Sequence, residues 1–159
     1  MEKLVQVKIG SIALAGALTI PRDAKGIVLF AHGSGSSRLS PRNTFVAHVL
    51  QKKGVATLLI DLLTEQEDET YETRFNIGLL VSRLVAIIDW LSKNSDTKNL
   101  PLGLFGASTG AASALKVAAL LGEKVKAVVS RGGRPDLALD ILDHVTSPTL
   151  LIVGAMILV

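Results

Sequence analysis

Ser108 stands in Gly106-Ala107-Ser108-Thr109-Gly110, a G-x-S-x-G pattern. An apolar run of strand length, Pro101 to Phe105, precedes it, and an Ala/Leu-rich segment of helix-forming composition follows through Leu121. Strand, tight turn and helix with a serine at the turn make a nucleophile elbow, in which the glycines remove Cβ atoms that would clash as the chain reverses. The chemistry of such a serine is attack on a carbonyl. Unpaired N–H groups and the dipole of the helix N-terminus then favour the negative tetrahedral intermediate. A plain glycine-rich turn is the alternative, and the flanking strand and helix argue against it.

The elements that must position this turn follow from the apolar patterning. Val5, Val7 and Ile9 alternate with Gln6 and Lys8, Gly10-Ser11 supplies a turn, and Ile12 to Ile20 returns, so a β-hairpin is expected. Lys3 and Lys8 ahead of an apolar run loosely imitate a secretory signal, but the run is short and Glu2 interrupts the basic region. The hairpin reading places the chain in the cytoplasm. Beyond it come strands at 26–31, 55–60, 101–105, 125–130 and 149–153. Helices are expected over 41–53, 74–91 and the Ser108 segment, with a short piece at 137–143. Glu65 to Glu72 reads as a solvated acidic loop. This alternation predicts one α/β domain over residues 1–159, a mostly parallel sheet with helices on both faces and an N-terminal antiparallel hairpin.

Composition narrows the function classes. Hydrophobic residues make up 48% of the 159, and mean hydropathy is +0.45, which fits strands buried on both faces. Seventeen basic and fourteen acidic side chains leave a net charge of +3, too small and scattered to argue for nucleic acid, and 4% aromatics offer little base stacking. With no cysteine, disulfides, thiolate metal sites and cysteine nucleophiles are excluded. No run is long enough to span a bilayer as a helix. Neither G-x-G-x-x-G nor G-x-x-x-x-G-K-[ST] occurs, so a phosphate-binding doubly wound domain is a weak alternative.

In a sheet of this kind the site lies at the carboxyl ends of the strands. That edge collects His32 through Arg42, Asp61, Ser108 with Thr109, and Arg131 through Asp136. The hairpin, the His32-Gly33-Ser34-Gly35 loop, the Gly106–Gly110 elbow and the Ser147–Gly154 strand together resemble the α/β-hydrolase superfamily, in particular its dienelactone hydrolase-like branch, over residues 1–154. The resemblance implies an α/β-hydrolase fold and a Ser108 that attacks an ester or lactone carbonyl. It also implies backbone N–H donors at Thr109 and Ser34, a substrate-binding loop that contains His32 and Gly33 with His32 as its brace, and no cofactor or metal. Dienelactone hydrolase itself carries cysteine at the elbow, so Ser108 points to ester hydrolysis.

The family places its acid and histidine beyond the strand that ends at Val153-Gly154. Here the sequence reads Ala155-Met156-Ile157-Leu158-Val159, with no acid after Gly154 and no histidine after His144. A C-terminally incomplete, weak or inactive domain is therefore expected. His144 precedes the last strand and belongs at the opposite sheet edge, roughly 17–20 Å away. His48 falls within a helix, while His32 is at the correct edge and either braces the loop or serves as a surrogate base. Asp136 either joins the site or caps the helix beginning near Leu137, and Asp61 reads as a turn residue.

Arg38, Arg42, Arg131 and Arg134 are expected at one mouth, either as solvated surface charges or as forks for an anionic substrate. Solvated charges are the leading reading, and the carboxylate-bearing substrate of the resembling family lends support to the second. A small-molecule ester or lactone is thus the expected partner, with a non-catalytic module for an anionic ligand as the alternative. No nucleic acid or membrane partner is expected. The last apolar run, Thr149 to Val159, is expected as an exposed edge strand that a homo-oligomer covers.

Overall fold

A computed structural model describes residues 2–154. Seven strands form one sheet in the order β1-β2-β4-β3-β5-β6-β7. The hairpin β1 (Glu2–Ile9) and β2 (Ile12–Thr19) turns at Gly10, whose φ is 58°, and β2 joins β4 (Ala56–Ile60) antiparallel. The remaining strands β3 (Ile27–Ala31), β5 (Leu102–Ala107), β6 (Val125–Arg131) and β7 (Thr149–Ile152) run parallel to β4 and to one another. The expected α/β class and mostly parallel sheet are present.

Each parallel pair needs a crossover, and the helices supply it on both faces. Helix α1 (Pro41–Lys52) packs over Phe30, Leu59 and Phe105 on one face, with the two phenylalanine rings 5.0 Å apart. Helices α3 (Ile77–Lys93) and α4 (Thr109–Leu121) cover the other, larger core built from Leu29, Leu58, Leu84, Ile87 and Leu115. The apolar stripe at Leu80, Leu84, Ile87, Ile88 and Leu91 is the helical period read from the sequence. Helix α1 starts on Pro41 with the Ser40 hydroxyl accepting from the Asn43 N–H, a pre-organised φ plus a cap.

Three local expectations are corrected. The 65–72 segment is no solvated loop: Glu65–Asp68 forms a short helix α2, closed by a capping box between Thr64 and Glu67. Glu67 also accepts from the Arg83 guanidinium, an ion pair that ties α2 to α3. A second short helix, of the 3₁₀ type, spans Tyr71–Phe75, so α3 begins at Ile77 rather than near Arg74. The piece expected at 137–143 is a 3₁₀ segment from Pro135 to His144, and no side chain caps it.

At the far edge, β7 presents Leu150, Leu151 and Ile152 to solvent and Val153 follows, each at least 45% exposed. The remainder of the expected last run, 155–159, lies outside the described residues. No described helix is long and apolar enough to cross a membrane.

Arg83 is 9% exposed, and its Nε has no partner among the described residues, so Glu67 is its charge compensation. Glu67→Ala is expected to destabilise the fold by about 2–3 kcal/mol, because it strands a buried charge and removes half a capping box. Asp89→Ala, which breaks the exposed Lys93 pair, should cost no more than about 0.5 kcal/mol. Urea unfolding of the two variants checks the contrast.

Candidate functional site

Strand register decides what surrounds Ser108. Gly106 pairs with Ala31, and Ala107 pairs with Arg131. The loop after β3 and the end of β6 therefore flank the turn on either side. At the turn itself Ser108 holds φ 52° and ψ −123°, a conformation that costs a residue with a Cβ roughly 1–3 kcal/mol. Close backbone approach forces it. A Cβ on Gly106 would collide with the Ala111 backbone, and one on Gly110 with the carbonyl oxygens of Ala31 and His32. A Cβ on Gly33 would lie 2.9 Å from the Ser108 Cβ, so that glycine lets the neighbouring loop reach the serine.

The helix start adds dipole and donors. The Ser108 carbonyl accepts from the Ala111 and Ala112 N–H groups, which begins the α4 ladder and leaves the Thr109 and Gly110 N–H groups in the unpaired first turn. The Ser108 side chain is half-buried, and its hydroxyl makes no hydrogen bond among the described residues. The Ser34 N–H, expected as an open donor, instead donates to Thr109 Oγ1 at 3.1 Å. That bond pins the loop after β3 to the first residue of α4.

Both ring nitrogens of His32 are engaged within the fold. The Leu62 N–H donates to its Nε2 at 3.0 Å, which puts the ring proton on Nδ1, 2.9 Å from the Gly33 carbonyl oxygen that accepts it. The ring is buried and joins the loop after β3 to the loop after β4. Asp61 is likewise no simple turn residue. It accepts from the Arg38 N–H at 2.7 Å and from the Arg38 guanidinium, closing the same loop from the other end.

The four arginines do not converge. Arg38 is spent on Asp61, and Arg134 forms an exposed pair with Asp136. That pair raises the Arg134 pKa and lowers that of Asp136, with their mutual hydrogen bond the main cause. Asp136 therefore neither caps a helix nor enters the site. Arg42 and Arg131 alone line the cavity of about 310 Å³ at Ser108, together with Gly33, Ser34 and Asn43. Arg131 donates to Asn43 Oδ1 at 3.0 Å and lies over the Phe105 ring, 5.6 Å from its centroid. Burial, and then repulsion from Arg42, lower its pKa, yet a guanidinium stays charged at neutral pH.

Among the described residues, no histidine or carboxylate lines this cavity. His48 and His144 are exposed, on α1 and ahead of β7 respectively. Sequence reasoning missed Asn43. It is 2% exposed on α1, and its one signal was an amide on an otherwise apolar helix face.

The parallel sheet with its antiparallel entry and the serine at a strained strand-to-helix turn have the architecture of an α/β-hydrolase. No family model matches the chain. A crystal structure of dienelactone hydrolase from Anabaena variabilis is similar at 61% identity and TM-score 0.94, with 98% of this chain and 74% of that one covered. The chain belongs to the dienelactone hydrolase family of α/β-hydrolases. A metagenomic dienelactone hydrolase-like promiscuous phosphotriesterase shares the fold, at 20% identity and TM-score 0.73 over 98% of this chain and 69% of that one. A Mycobacterium tuberculosis protein with the provisional name of a phosphoribosyl transferase is 57% identical over 153 residues, 96% of this chain. The chain spans 34% of the length of that curated relative.

Strain at Ser108 has a measurable sign. With no hydrogen bond to lose, Ser108→Gly is expected to raise stability by about 1 kcal/mol, whereas Ser108→Ala keeps the strained Cβ and gains nothing. Gly110→Ala should destabilise by about 3 kcal/mol or prevent folding, because its clash is with rigid backbone. Thermal and urea unfolding of the three variants checks both signs.

Proposed function

We propose that this chain carries the nucleophile and the substrate-anion site of a serine hydrolase acting on an ester or lactone. The observation that carries the reading is the pairing, in one cavity, of the strained Ser108 with Arg42 and Arg131, with no acidic side chain in the lining among the described residues. Two guanidiniums that repel each other without a counter-ion favour an anionic ligand, and the field they create would hold its carboxylate or phosphate beside the serine. Ser108 would attack the carbonyl, forming the C–O bond as the carbonyl electrons move to oxygen. The Thr109 N–H would donate to the oxygen on which the charge develops. The Ser34 N–H would join it by exchanging its Thr109 Oγ1 acceptor for the oxyanion. In this proposal the proton of Ser108 has no acceptor at the cavity, so the chain by itself would turn over at a small fraction of a complete triad. Loss of the histidine costs on the order of a millionfold.

The alternative is a binding module of the same fold for an anionic small molecule, and the absence of histidine and carboxylate from the cavity lining among the described residues favours it. The mycobacterial relative's name concerns a much longer protein, but an arginine pair suits a phosphate as well as a carboxylate. For the protein partner we propose self-association through the edge strand β7, whose apolar side chains are exposed and whose outer backbone has no strand partner among the described residues. Sedimentation should then show a mass that grows with concentration and falls in Leu151→Lys. A monomer throughout would contradict self-association.

The anion site is tested with unreactive probes. Calorimetry should show saturable binding of benzoate and phenyl phosphate, weakened at least about tenfold by Arg131→Ala, and none of benzyl alcohol. Absence of saturation for both anions would reduce the arginines to solvated surface charges.

A further inference from the structure

A larger cavity, about 490 Å³, opens at the opposite end of the sheet. Its lining includes Ile27 and Leu102, the first residues of β3 and β5, whose last residues Ala31 and Ala107 adjoin the Ser108 turn. Strands of this length separate the two ends by roughly 17–20 Å. The cavity is therefore independent of the Ser108 site. Ile88, Leu91 and Leu121, from the last turns of α3 and α4, complete an apolar wall. A volume of this size lies in the range of small-molecule pockets, roughly 300–1,000 Å³.

Charge at its rim is one-sided. Lys98, Lys124 and Lys126 line it, all exposed, and none forms an ion pair among the described residues. The single acid in the lining, Asp89, is occupied by Lys93 at 2.7 Å. An apolar hollow ringed by three unpaired ammonium groups is complementary to a molecule with a hydrocarbon body and one anionic head. We propose that this cavity is a second ligand site, taking a small amphipathic carboxylate with its tail against Ile88, Leu91 and Leu121 and its head among the lysines.

Trp90, the one tryptophan of the chain, is adjacent in sequence to the lining residues Asp89 and Leu91, and its fluorescence is the readout. The protein is titrated with decanoate, decanol and acetate below their aggregation concentrations. Decanoate should saturate, decanol should bind about tenfold more weakly, and acetate should give no response. Lys124→Glu with Lys126→Glu should weaken decanoate about tenfold or more, and Ser92→Phe, which fills the cavity from an exposed helix position, should abolish the response. Circular dichroism confirms that the variants are folded. Arg131→Ala should leave decanoate binding unchanged, which separates this site from the one at Ser108. Equal affinity for decanol, indifference to the lysine or Ser92 variants, loss of binding in Arg131→Ala, or no saturation would each overturn the proposal.

Discussion

Everything at the Ser108 edge depends on three backbones coming closer than side chains permit. Gly106 lies against Ala111, Gly110 against the carbonyls of Ala31 and His32, and Gly33 against Ser108. Those contacts force the reversal between β5 and α4, and the reversal forces Ser108 into a left-handed backbone conformation. The resulting cost is small against the burial of the core on either face, which is why the strain persists. Its consequence is positional: a hydroxyl that makes no hydrogen bond among the described residues stands at the start of a helix dipole.

Electrostatics then separates the groups that hold the loop from those that face the cavity. His32 and Asp61 lie at the right edge for chemistry, but their polar atoms are bonded to Leu62, Gly33 and Arg38, so both serve as braces. Arg131 is held by Asn43 and the Phe105 ring rather than by a carboxylate, so its charge is aimed but not neutralised. The site is consequently rich in positive charge and poor in proton acceptors. Positioning a serine and activating it are distinct, and the described residues that line the cavity supply no group for the second.

How much of this the sequence revealed depends on the range of the interactions. Strands buried on both faces read as apolar runs, and the Gly106–Gly110 pattern encodes its own turn, so the fold and the place of Ser108 were legible. Pairs across the sheet were not. Arg38 with Asp61, Asn43 with Arg131, and Glu67 with Arg83 are separated by 23, 88 and 16 residues, and no local rule selects those partners. Hence the four arginines seemed equivalent in sequence, although only Arg42 and Arg131 reach the cavity. Arg134 and Asp136, two residues apart, were within reach of a local reading; assigning Asp136 to a helix cap obscured their pairing.

On the proposed reading, Ser108 is positioned but has no proton acceptor among the described residues of its cavity. Fluorophosphonate labelling of the folded protein, read by intact mass and peptide mapping with Ser108→Ala as control, tests it most directly. A positioned serine without a proton acceptor predicts no adduct at Ser108 at neutral pH. An adduct on Ser108 in the folded chain, absent from the alanine variant, would contradict the claim and place a working base at the cavity.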